Sequence, residues 1–81
     1  MSHYCKLTVY EQDNDSLLGR KPCLQFPDTE EGTVGSMIEH VNDLKKRNPE
    51  QRYAIGMIRE GMGKESFISA SGNVQDGFEW L

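Results

Sequence analysis

The most regular hydrophobic pattern in the chain lies between Thr33 and Asn48, where Val34, Met37, Ile38, Val41 and Leu44 recur at the i, i+3, i+4, i+7 spacing of an amphipathic helix. All five fall on one side of the cylinder, so that side has to be covered. Thr33 suits the N-cap, and Glu30 and Glu31 lie just upstream, where the positive end of the helix dipole favours them. Lys45, Lys46 and Arg47 suit the negative end, and Asn48-Pro49 stops the helix.

The segments on either side read as strands that pack against this helix. Residues 3–10 (HYCKLTVY) alternate, with Cys5, Leu7 and Val9 inward. Residues 11–19 are polar and turn-forming apart from Leu17 and Leu18, and they lead back into a short strand over 21–26 with Leu24 and Phe26 inward. Pro22 and Pro27 bracket this second strand and assign it to a sheet edge, because proline cannot donate to the ladder. Residues 52–59 (RYAIGMIR) are apolar at both parities, which predicts a central strand. The small Ala54 and Gly56 would let the helix approach closely, and the pattern leaves open which parity faces it. Glu60 to Glu65 holds two glycines and predicts a hairpin into residues 66–71; 72–77 form a further turn, and 78–81 a short last strand or a docked tail.

The resulting order, ββαββ with a possible fifth strand, predicts one α+β domain over 1–81. It consists of a single, mostly antiparallel sheet with the helix on one face, compatible with a β-grasp layout. Strand parity sets Cys5 in step with Leu7 and Val9, and Cys23 out of step with Leu24 and Phe26. Two unpaired thiols are therefore expected, Cys5 buried and Cys23 outward.

Thirteen acidic against nine basic residues give a net charge of −4, which argues against general adhesion to nucleic acid or anionic membrane. No apolar run approaches the roughly 20 residues that span a bilayer, and no signal segment opens the chain, so a cytoplasmic protein is expected.

Candidate chemistry is sparse. Gly61-Met62-Gly63-Lys64 has the composition of a phosphate loop, but Ile58 stands where a Walker loop needs glycine, and Glu65 where it needs Ser or Thr. Asp13, Asp15 and Gly19 suggest a calcium loop, which Leu17 and Leu18 spoil by occupying a ligand and the glycine position. Of His3, Cys5, Cys23 and His40, no pair except His3 and Cys5 has short zinc-ligand spacing, and no nucleophile sits in a glycine-framed context. The reading is a non-enzymatic chain without metal or cofactor.

Three surface features remain. Tyr4, Tyr10, Met62, Phe78 and Trp80 are interface-type side chains without an obvious place in the core, and they are the candidate partner-binding residues. Glu11, Asp13 and Asp15 in one loop and Asp28, Glu30 and Glu31 in another are acidic groups that imitate a phosphate backbone if they act together. The expected function is binding to a protein partner, as a small acidic inhibitor or accessory factor of the kind mobile elements encode, with homodimerisation open. The alternative is nucleic-acid binding by Arg20, Lys21, Lys45, Lys46, Arg47 and Arg52.

Overall fold

The computed structural model describes residues 4–30 and 34–81. Five strands, β1 (Tyr4–Gln12), β2 (Arg20–Glu30), β3 (Tyr53–Arg59), β4 (Ser66–Ile68) and β5 (Val74–Gln75), form one sheet in the order β2-β1-β3-β4-β5, and α1 (Val34–Arg47) connects β2 to β3. Every pairing is antiparallel. The chain is the expected α+β domain. Its likeness to the β-grasp layout is in element order and helix cover rather than strand direction, since β1 and β3 run antiparallel at the centre of the sheet.

The core lies between the sheet and α1. Cys5, Leu7 and Val9 of β1, Tyr53, Ile55 and Met57 of β3 and Ile68 of β4 meet Val34 and Val41 of the helix, and Leu24, Phe26, Met37, Ile38, Leu44 and Leu81 close its margins. This settles the parity of β3: Tyr53, Ile55 and Met57 face the helix, whereas Ala54 and Gly56 face away from it. The close approach that glycine permits is on the opposite side of the sheet, where a Cβ at Gly56 would meet the Glu65 carboxylate and the Tyr10 ring. The helix ends as its sequence predicts, with Lys45, Lys46 and Arg47 in the last turn. Thr33, Glu31 and His3 lie outside the described residues, and with them the N-cap assignment.

The second strand is longer than the prolines suggested. β2 is an edge strand, but it runs through both Pro22 and Pro27, and each sits at an irregularity of the β1–β2 register. Between Leu7 opposite Phe26 and Cys5 opposite Thr29, β2 carries an extra residue, and it does so again between Val9 opposite Leu24 and Tyr10 opposite Pro22. A bulge tolerates a residue that donates no ladder hydrogen bond, so here the prolines punctuate the strand instead of ending it. The stretch at 66–71 is shorter than expected: β4 stops at Ile68, Ser69 begins a turn, and β5 occupies Val74–Gln75 within the predicted 72–77 turn. Residues 78–81 are a docked tail, anchored where the Leu81 N–H donates to the Tyr53 carbonyl at 2.8 Å. Among the described residues no helix is long and apolar enough to cross a membrane.

Val41 is fully buried and Glu39 is exposed on the same helix. Val41→Asp strands an unpaired charge in the core at a cost of several kcal/mol, against a total of roughly 5–15 kcal/mol for such domains. Thermal melts should show Val41→Asp unfolded and Glu39→Ala within a few degrees of the wild type. Cys5 is buried and Cys23 exposed, and no disulfide joins them. Cys23 should therefore react first with a thiol reagent. It should also react more slowly than a small free thiol at neutral pH, because partial desolvation, and then the Glu11 carboxylate, hold its pKa above the ordinary value.

Candidate protein-docking surface

Because β1 is antiparallel to both neighbours, one end of the sheet collects the end of β1, the starts of β2 and β3 and the C-terminus of α1. The Gln12 N–H donates to the Arg52 carbonyl at 3.0 Å, and the Gln51 side-chain amide donates to the Gln12 carbonyl at 2.9 Å. The β1–β2 loop projects from this end. The Asp13 N–H donates to the Gly19 carbonyl at 3.0 Å, the Ser16 N–H to the Asp13 carbonyl at 3.2 Å, and the Gly19 N–H to the Ser16 carbonyl at 3.0 Å. Side chains tie it further: Asp13 Oδ1 accepts from the Asp15 N–H at 3.0 Å, and Ser16 Oγ donates to the Arg20 carbonyl at 2.9 Å while accepting from the Leu18 N–H at 3.3 Å. Gly19 closes the turn at φ +73°, a conformation that suits glycine. At the tip of this internally bonded loop Leu17 is 106% and Leu18 74% exposed, the two most exposed large apolar residues described.

The opposite end of the sheet carries a wide-open groove of about 630 Å³, walled by Tyr4 and Lys6 of β1, Pro27 of β2, Ile58 and Arg59 of β3 and Met62 of the β3–β4 turn. Tyr4 and Met62 are both substantially exposed there.

The sheet face away from α1 has a cover of its own. Phe67, opposite Gly56 in the ladder, meets Phe78 edge to face at 5.2 Å between centroids, and Phe78 meets Trp80 in the same manner at 4.8 Å. The Arg20 guanidinium lies 4.1 Å from the Phe78 ring centroid, 5.2 Å from Tyr10 and 5.4 Å from Phe67. Its Nε is shielded and has no hydrogen-bond partner among the described residues, so ring faces stabilise the cation where a carboxylate does not. The bulge beside Pro22 explains how Arg20 gets there: the extra residue reverses the alternation of β2, placing Lys21 beside Glu11 and Arg20 on the same side as Tyr10. The Tyr10 hydroxyl donates to Glu65 at 2.6 Å, and desolvation, this hydrogen bond and the Glu65 charge, opposed by Arg20, push the Tyr10 pKa up to about 12.

The five interface-type residues thus divide. Tyr4 and Met62 stand at the groove, whereas Tyr10, Phe78 and Trp80 join Phe67 and Arg20 on the sheet face. The acidic groups divide as well. Glu11, Asp13 and Asp15 stand at the loop end and Asp28 and Glu30 at the other, separated by the length of β1, on the order of 25 Å. Of the basic residues, Lys45, Lys46, Arg47 and Arg52 share the loop end; Lys21 pairs with Glu11 at 3.6 Å, and Arg20 is taken into the aromatic cluster. Lys64, in the glycine-rich turn, pairs with Asp76 at 3.6 Å. Among the described residues no three His, Cys, Asp or Glu side chains assemble as a metal-binding group. His40 lies edge-on to Phe26. Compared with protein-family models, with curated proteins and with solved structures, the chain finds no match in any of the three.

Sequence reasoning left Leu17 and Leu18 out of the candidate partner-binding residues, noting them as the apolar exception in a polar turn and as a break in a calcium pattern. The signal was there: two adjacent leucines in an otherwise polar turn, at no helical or strand period, have no core to face. Arg20 as a partner of the aromatics was hidden, because one bulge inverts its parity.

The Tyr10 hydroxyl should titrate late. Followed by ultraviolet absorbance, it ionises near pH 12, about two units above a free tyrosine, and Glu65→Gln lowers that value only partway, since desolvation is the larger cause. The folded-state pKa lies above the unfolded one, so the contribution of this pair to stability is complete below pH 10 and is lost as the pH rises toward 12. In Tyr10→Phe that decline disappears from the alkaline unfolding curve.

Proposed function

We propose that this domain is a non-catalytic protein-binding module, an acidic inhibitor or accessory factor that docks through the tip of the β1–β2 loop. The observation that carries the reading is the pair of leucines, Leu17 and Leu18, held almost wholly in water on a loop that is bonded to itself. A single exposed leucine is ordinary on a protein surface, whereas two adjacent ones at the tip of an ordered projection form an apolar contact without an intramolecular partner. The order of the loop supports the same reading, because a pre-shaped loop loses little conformational entropy when it is buried against another surface.

The rival reading, contact with nucleic acid, draws on the shared location of Lys45, Lys46, Arg47 and Arg52 at the same end. It is weaker because Glu11, Asp13 and Asp15 occupy that end too, Lys21 is paired and Arg20 faces aromatic rings.

The two separate experimentally. Immobilised wild-type domain should retain a protein from its native lysate that Leu17→Ser/Leu18→Ser does not retain, with the melting temperatures of the two equal within a few degrees. Labelled single- and double-stranded DNA and RNA titrated at low salt should show no saturable binding. Binding that falls steeply with salt and is lost in Lys45→Glu/Lys46→Glu establishes the rival instead.

A further inference from the structure

Resting on that reading, we infer that the surface receiving Leu17 and Leu18 is a protein pocket with an apolar floor and a basic rim. The leucines do not stand alone at the tip. Asp13 and Asp15 precede them in the same loop, and Asp15 is exposed. Among the described residues neither carboxylate has a cationic partner, whereas Glu11 pairs with Lys21 and Asp76 with Lys64. Asp13 Oδ1 accepts the Asp15 N–H, which holds the Asp13 side chain within the turn. The lysines and arginine at the end of α1 share this end of the molecule, and among the described residues none of them forms an ion pair with Asp13 or Asp15.

Two leucines inserted into a pocket carry the pair of carboxylates to its edge, where every charge is partly desolvated and an unmatched one is penalised. A neutral or acidic rim would oppose docking, and a basic rim matches both charges while steering the approach. The same charges count against a lipid surface, because the anionic lipids of a cytoplasmic leaflet repel carboxylates placed beside the inserting side chains.

The test uses the whole domain with a photo-crosslinking residue in place of Leu17. It is irradiated in native lysate, and the protein joined to it is then purified and titrated with uncrosslinked variants. Vesicles of phosphatidylcholine, alone and with phosphatidylglycerol, serve as lipid probes. Affinity for the captured protein should fall roughly a hundredfold in Leu17→Ser/Leu18→Ser, as burial of two leucines implies. It should fall about tenfold in Asp13→Lys/Asp15→Lys, mainly through the association rate, with the difference shrinking at high salt. Lys45→Glu/Lys46→Glu should bind no more weakly than the wild type, since removing positive charge from this end does not oppose a basic rim, and no variant should bind vesicles. Loss with the leucine variant but none with the aspartate variant overturns the basic rim and leaves protein docking standing. An unchanged affinity in the leucine variant overturns docking by the loop itself. Leucine-dependent binding to vesicles, or no protein crosslinked through position 17, overturns the protein pocket.

Discussion

One helix can cover only one face of a sheet, and that limit shapes the rest of this molecule. α1 seals the side carrying Leu7, Val9, Ile55 and Ile68. The other side of β1 and β3 includes Thr8 and Ala54, which are also buried, so something else has to exclude water there. The cover is assembled from pieces distant in sequence. Phe67 comes from β4, Phe78 and Trp80 from the tail, Arg20 from the start of β2 and Glu65 from the β3–β4 connection. Gly56 sits beneath them because Tyr10 and Glu65 fill the volume a side chain would need. The bulge at Pro22 completes the arrangement by turning Arg20 toward the rings, so a local irregularity in an edge strand serves packing as far as β4, three strands away.

What the sequence made legible follows the strength of its periods. The helix was readable to its last turn because five apolar residues repeat at one spacing, and the burial of Cys5 against the exposure of Cys23 followed from alternation along two strands. Alternation fails wherever one residue is inserted. The bulges extended β2 past both prolines and inverted Arg20, and no period in the sequence announces them. β3 was ambiguous for a different reason: it is apolar at both parities because both its faces are covered, one by the helix and one by Tyr10, Glu65 and the aromatic cluster. Only the ladder register, with Val9 opposite Ile55 and Thr8 opposite Gly56, assigns each set to its side.

The same limit bears on where a binding surface can be. Tyr10, Phe78 and Trp80 have the composition of an interface, and they make their contacts within the chain, on a sheet face that has no second helix. Aromatic composition alone does not distinguish a surface that waits for a partner from one that closes a thin domain, because both ask for large side chains at partial burial.

Leu17 and Leu18 are separated from that ambiguity by their lack of neighbours. Their exposure means that they contribute little to burial on folding, while the turn that carries them is closed by Asp13, Ser16 and Gly19 through bonds that serine, glycine or asparagine at positions 17 and 18 would serve equally. Two leucines on a projecting tip also raise the hazard of nonspecific association, which the adjacent aspartates reduce. Folding therefore gives no reason for an apolar pair at this place and solubility gives a reason against it, and that imbalance is the ground on which contact with another surface is proposed for the leucines and the charges beside them.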